Sequence, residues 1–408
     1  MTTITLESTS RELSPAAGIA IVLGVVWGIF LLFLAMILIQ GGWILVAEVV
    51  LALALIYYLK RNPDIETTIK TQFDIHRGAA IVGAAAALLI FPFTMYNNAY
   101  WLYNVVIAGS FIVATLGLNL QLGSGGMVNL AGAAFYGVGA YTAGLLALSW
   151  GWPPWLTLLC GGIVTAISSI LLFIPVMKTK GHYLALVTIA FQFIVVILLD
   201  NLEFTGGPQG LKNIPLFSLF GYSFNTEVKL FGLSFPTYVN YYLLILLLAV
   251  VTIIVANRIY QSWVGVTLST IRDDEIAAKT SGVQVNKWKL IAFSFGNFFI
   301  GISGAFYAHM VGFVSPPNFV FEKSLVMVSI VILGGMDNVA GVVLGALLLI
   351  LLPEKLRFIS DYRYLIYGLV LIVMLIFRPK GILPFKVRDY ARLVSGADLK
   401  STKGGAEI

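Results

Sequence analysis

This sequence predicts an all-α polytopic membrane protein with about 10–12 transmembrane helices, and three observations point there. Hydrophobic residues make up 59% of the 408 residues and charged ones only 11%, where a soluble domain carries roughly a quarter charged residues. Mean hydropathy is +0.94, so a bilayer rather than water must solvate the surface. The apolar residues also fall in runs close to the ~20 that a helix needs to cross about 30 Å of hydrocarbon.

Twelve candidate spans follow in order: 17–39, 42–59, 78–95, 99–121, 126–148, 154–177, 182–199, 237–256, 290–312, 324–334, 339–353 and 363–377. The tenth and eleventh are short, as expected of a tilted or partly re-entrant course. The segment before the first span, MTTITLESTSRELSPAAG, lacks a basic region, so cleavage as a secretory signal is not expected.

Orientation comes from Lys and Arg placement. With residues 257–289 in the cytoplasm and sides alternating, six of the 25 basic residues fall outside: Lys212, Lys229, Lys323, Lys355, Arg357 and Arg363. The other nineteen fall inside, among them Lys60, Arg61, Lys178, Lys180 and seven in the tail after span twelve. Both termini are therefore expected in the cytoplasm. This asymmetry explains the net charge of +6 without nucleic acid. A lone Cys160 and three scattered histidines, His76, His182 and His309, offer no disulfide framework and no metal-ligand spacing. Glu48, inside the second span, is the one intramembrane acid and reads as a snorkelling or protonated side chain.

The organisation reads as an N-terminal extension over 1–77 with two spans and the polar loop 60–77, a core over 78–385, and a cytoplasmic tail over 386–408. In the core, GLNLQLGSGGMVNLAGAAFYGVGAYTAGLLAL (117–148) sets glycine and alanine at helical spacing, and Gly341 and Gly345 form a GxxxG. Small residues let helix backbones approach where lipid provides no hydrophobic drive. The uncharged GSGG turn (123–126) reads as a break between helices. Nearby amides must find partners at membrane depth, either other helices or a polar cavity. Asn119, Gln121, Asn129, Gly132, Tyr136 and Gln192 are the candidate path residues. The loop 200–236, with its TGGPQG turn, is long enough to cover a pore mouth.

STIRDDEIAAKTSGV (269–283) is a charged island between apolar runs. Thr270 or Asp273 is expected to cap a short helix, with Asp273, Asp274 and Glu275 favoured at its positive end. Ala277, Ala278 and Lys279 favour helix, and Gly282 suits the stop. The alanines are expected on one face, open to a partner's groove, with the acids fixing register. On local physics alone an ordinary solvated connector is the favoured reading of the island, because many membrane proteins have such loops.

Glu275, Ala277, Ala278 and Gly282 form E-x-A-A-x-x-x-G, which resembles the EAA loop of ABC importer permeases. GVTLSTIRDDEIAAKTSGVQVNKWKL, GAFYAHMVGFVSPPNF, GLNLQLG, AAFYGVGAYTAGLLAL, GHYLALVTIAFQ, TGGPQGL, LGGMDNVAGVVLGA and FRPKGILP together resemble branched-chain amino acid permeases of the LivM type, from about residue 99 to 385. Val266, Asp337, Val342 and the Asn129–Ala131–Gly132 stretch depart from that family's usual residues.

The resemblance implies a type II-like ABC importer permease fold in a prokaryotic cytoplasmic (inner) membrane. It also implies a LivH-type permease partner, two ABC ATPase subunits and an extracytoplasmic solute-binding protein. Arg272, Asp273, Asp274, Glu275, Ala277, Ala278 and Gly282 become the ATPase-coupling loop within 257–289. The chain has no GxxxxGK[ST] to cradle phosphates, so it is expected to be no enzyme and to hold no cofactor, with ATP on the partner ATPases. Branched-chain or other hydrophobic amino acids are the implied cargo. The alternatives are a urea or short-amide ABC permease and an ion-coupled secondary transporter, for which Glu48 is too isolated a ligand.

Overall fold

The computed structural model describes residues 14–38, 61–95, 98–176, 182–219, 221–230, 233–359 and 381–383, with a few single residues besides. The expected second span with Glu48, most of the twelfth and the tail after 385 lie outside the described residues. Two compact units divide between Trp101 and Leu102.

The first unit contains α1 (Pro15–Leu38), the polar α2 (Pro63–Ile75) and α3 (Arg77–Thr94). Gly83 lets α3 approach α1 so closely that a Cβ there would stand 2.7 Å from Leu23 Cδ2. An Arg77–Asp74 ion pair of 2.7 Å joins α2 to α3. Residues 78–94 fall in this first unit, where α3 packs on α1 at Gly83.

The second unit takes nearly all of α4 (Ala99–Asn119), which continues into a π-helical turn, Leu120–Ser124. It is followed by α5 (Gly132–Trp150), α6 (Pro154–Val176), α7 (His182–Asn201) and α8 (Tyr238–Tyr260). Two short helices, α9 (Trp263–Asp273) and α10 (Glu275–Thr280), precede the long α11 (Val285–Val311); α12 (Phe321–Gly334) and α13 (Val339–Lys355) complete it. Among the described residues, nine helices are long and apolar enough to cross a membrane. With 17 residues, α13 is just shorter.

Span boundaries differ from the sequence reading at three places. Residues 126–131 are not helical, so the span placed at 126–148 begins at Gly132. The ninth starts at Val285 rather than 290. The tenth gains length from the turn Pro316–Phe319, giving a candidate span of 19 residues from Pro316 to Gly334.

Helices α5, α6 and α11 pack backbone to backbone. A Cβ at Gly304 would overlap the Tyr136 carbonyl, one at Gly139 the Gly301 carbonyl, and one at Gly161 would stand 2.9 Å from the Gly139 oxygen. Such contacts maximise dispersion where lipid tails are as apolar as leucine. The GxxxG of α13 does the same, with Gly341 against the Gly334 carbonyl and Gly345 2.7 Å from that of Ile330. Away from these seams, Ile167, Leu171, Leu186 and Ile197 are exposed, as a lipid-facing belt requires.

The 202–237 segment is folded over the end of α11. It contains two antiparallel hairpins, β1 (Ser218–Leu219) with β2 (Tyr222–Ser223), and β3 (Val228–Leu230) with β4 (Leu233–Phe235). Leu211 bridges Val314 in antiparallel fashion. His309, on α11, pins this segment: Nδ1–H donates to the Pro215 carbonyl over 2.7 Å. Nε2 of the neutral ring then accepts from the Thr157 hydroxyl over 2.6 Å.

Gly304→Val forces a branched side chain against the Tyr136 carbonyl, and overpacking of this kind costs about 1–3 kcal/mol. Its thermal unfolding temperature in detergent should fall by several degrees, whereas Gly28→Ala, with open space around the new methyl, should leave it unchanged. Equal melting of the two variants would disprove the backbone-contact reading.

Candidate functional site: a coupling segment joined to a broken helix

The segment between α8 and α11 carries its own small core. Gly265 permits the tight reversal out of α8, since a Cβ there would stand 2.6 Å from the Tyr260 oxygen. Asp274 then breaks the helix in an extended conformation, and its carboxylate accepts from the backbone of Ile276 at 2.9 Å and Ala277 at 3.0 Å. The cap of α10 is thus Asp274, and not Thr270 or Asp273. Thr270 sits inside α9 and donates to the Val266 carbonyl, and Asp273 pairs with Arg272 at 3.2 Å. Gly282, at φ +83°, closes the unit in the left-handed region that favours glycine.

The two alanines do not share a face. Ala278 is fully buried against Ile271 and Val285, flanked by Val283 and Trp288, while Ala277 faces outward. Adjacent helical residues are about 100° apart, so one alanine seals the small core and the other is presented. Beside Ala277 stands Ile276, 73% exposed, which the sequence reading passed over. Glu275 is held by Lys289 of α11 at 2.7 Å, so this acid tethers α10 to its own chain. Lys279 is exposed.

The helix break lies against this segment. After Asn119 the chain makes its π-helical turn and leaves helix geometry through Gly126, at φ +62°. Asn119 donates to the Tyr260 hydroxyl over 2.9 Å, at the elbow leading to α9, and accepts from the Asp337 amide over 2.8 Å. Arg272, at the end of α9, donates to the Gly123 carbonyl over 2.8 Å and pairs with Asp337 at 3.3 Å. The Ser124 hydroxyl donates to the same carboxylate.

A second cluster joins the break to α11. Asn129 donates to Gln121 over 2.7 Å and to Asn297 over 3.3 Å, while Gln121 donates to the Phe293 carbonyl over 3.1 Å. The amide nitrogen of Asn297 is buried without a hydrogen-bond partner. A third cluster caps α5, whose first amides have no helical acceptors. Ala131 donates to Asn129 Oδ1 over 2.9 Å, Ala133 to Ser324 over 2.8 Å and Ala134 to Gln192 over 2.7 Å. Gln192 in turn donates to the Phe319 carbonyl over 2.7 Å.

The sequence-predicted path residues are therefore all buried, but in separate groups. Asn119 sits in the cluster with Arg272 and Asp337, Gln121 and Asn129 face α11, and Gln192 caps α5. Gly132 lies against Met327. Tyr136 packs deeper, with its hydroxyl 3.0 Å from that of Ser110, which is 2.8 Å from the Ser303 hydroxyl. Lys323 lays its ammonium over the rings of Tyr307 at 5.1 Å, Phe319 at 5.9 Å and Tyr136 at 6.0 Å. Ser324 and Tyr260 were not singled out in the sequence, Lys323 stood there only among the outside basic residues, and Asp337 only as a departure from the family's usual residue. Lone polar residues beside apolar runs were the only signal that marked them.

The family model described as "Branched-chain amino acid transport system / permease component" matches residues 100–375. The chain is 37% identical over 300 residues to the high-affinity branched-chain amino acid transport system permease protein LivM of Escherichia coli (strain K12), covering 70% of each chain. It is equally similar to its Salmonella typhimurium counterpart, at 37% over 299 residues. The probable branched-chain amino acid transport permease protein LivH of Methanocaldococcus jannaschii is 23% identical over 306 residues, 71% of this chain and 94% of that one. No solved structure matches. The backbone-packed helices, the broken fourth helix and these likenesses agree: the chain is a membrane protein of the branched-chain amino acid transport permease family.

Proposed function

We propose that this chain is one of two permease subunits in an ABC importer for branched-chain or other hydrophobic amino acids. Its permease partner is of the LivH type. Two cytoplasmic ATPases bind and hydrolyse ATP, so the chain itself holds no cofactor and catalyses no reaction, and a solute-binding protein delivers cargo from outside. The complex sits in a prokaryotic inner membrane with both termini of this chain in the cytoplasm.

The observation that carries this reading is the α9–α10 segment. It has a core of its own, it presents Ile276 and Ala277 to the outside, and its rear is bonded to α11 and to the helix break. An isoleucine exposed on a short, pre-ordered helix suits a partner's apolar cleft, because no ordering cost remains at docking. Arg272, Asp273, Asp274, Glu275, Ala277, Ala278 and Gly282 divide the work. Ala277 meets the ATPase together with Ile276, Asp274, Ala278 and Gly282 shape the segment, and Arg272, Asp273 and Glu275 tie it down.

Asn119, Gln121, Asn129, Gly132, Tyr136 and Gln192 are proposed to border the solute path. The buried, unanswered amide of Asn297 beside Asn129 supports placing the path along this cluster, since a polar donor left unpaired in a dry setting costs about 1–3 kcal/mol. ATP-driven movement of α9–α10 re-orients the break and opens the cluster to cargo. An ion-coupled mechanism would leave the ordered α9–α10 segment without a role. Urea or a short amide is the cargo that competition assays must separate from an amino acid.

In the reconstituted complex, Ile276→Glu should reduce ATPase co-purification and lower uptake of radiolabelled leucine about ten-fold. Wild-type values for both would remove α10 from the docking surface. Gly132→Trp and Asn129→Leu should each lower uptake by a similar factor in complexes that still assemble by gel filtration. Unchanged uptake with either would place that residue away from the path.

A further inference from the structure

Arg272 and Asp337 lie 65 residues apart, one ending α9 and the other in the turn between α12 and α13. Their contact is built into the fold in four ways. The Asp337 side chain is 1% exposed and that of Arg272 25%. Asp337 holds φ +65°, a left-handed conformation that a non-glycine residue adopts at an energetic cost. Its carboxylate takes the Ser124 hydroxyl as well as the guanidinium, and its amide is bound by Asn119. Two glycines make room: a Cβ at Gly123 would stand 2.5 Å from the Asp337 amide nitrogen, and one at Gly126 would stand 3.0 Å from Arg272 Cγ.

The geometry points to the Arg272–Asp337 ion pair as the link that transmits movement of the α9–α10 segment to the broken fourth helix and the α12–α13 turn. Arg272 bonds the Gly123 carbonyl and the Asp337 carboxylate with one nitrogen, Nη1. Any displacement of the end of α9 therefore strains both. The Tyr260–Asn119 bond, 12 residues earlier on the same side of the segment, makes the break follow the elbow as well as the tip. A flexible connector has no use for a charge buried at this depth, because an ionised carboxylate removed from water must be answered by a cation and hydrogen bonds. Asp337 and Arg272 are positioning residues in this scheme, acting on the path through the break rather than by touching cargo. The inference rests on the docking reading above for its purpose, though the link itself is a property of this chain alone.

Hydrogen exchange on the full-length chain in nanodiscs reads the link without ATPase or solute. Asp337→Asn should raise exchange in α9–α10 as well as in residues 120–127, and Arg272→Gln should raise it in 335–338. Changes confined to each variant's own element overturn the inference. In the reconstituted complex, each single variant should lower leucine uptake per ATP hydrolysed about ten-fold, and the double variant should be no worse than the poorer single, because both break one link. Losses that multiply in the double variant, or wild-type ratios in the singles, overturn it too. Propagated exchange alongside a wild-type complex that transports no amino acid leaves the link standing and removes the proposed cargo.

Discussion

The hydrocarbon interior offers nothing to bond with, and the second unit of this chain is arranged around that fact. A break in a membrane helix exposes amides and carbonyls that water would otherwise satisfy. Here the interruption between Ser124 and Gly132 is answered group by group. Asn129, Ser324 and Gln192 accept from the first amides of α5, Thr188 accepts from Leu130, and Arg272 donates to Gly123. Besides the loop itself, the acceptors come from α7 and α12 and the donor from α9, so the break persists only while those helices stay in register. Fold and site are thus one arrangement. Two of the polar groups that answer the break, Asn129 and Gln192, are also among those proposed to border the path.

Glycine has the complementary part. Where α5, α6 and α11 meet, glycines open the seam, and at Gly139 and Gly304 a carbonyl lies where a Cβ would be. This gives the bundle its strength without hydrophobic drive. At Gly123 and Gly126 the same smallness serves a different end, admitting the backbone turn at Asp337 and the stem of the Arg272 side chain.

Much of this was legible in the sequence, because a bilayer imposes length and composition on every crossing segment. The apolar runs located the helices, GSGG marked the interruption, and the Asp-Asp-Glu-x-Ala-Ala island marked the segment between α8 and α11. What escaped was set by tertiary partners. The true start of α5 depends on Thr188 and Asn129 capturing the amides of Leu130 and Ala131, which no periodicity encodes. The cap at Asp274 rather than Asp273 follows from where α9 ends, and that depends on Ile271 and Ala278 finding Val285 and Trp288. Ile276 looked like an ordinary apolar residue in a helix until the burial of its neighbour fixed which way it faced. Asp337 stood in a turn and carried no sign of its distant cation.

The glycine seam has a kinetic consequence. Three helices that meet through glycines at contacts this close have little slack to absorb a shear, which favours their moving together as a single strut. In the proposed importer, alternation between the two sides of the membrane falls to the pieces fastened around that strut: the end of α4, the α8–α9 elbow and the α12–α13 hairpin. A stiff spine with hinged attachments turns a small push at one end into a tilt at the other, and loses little of it in between.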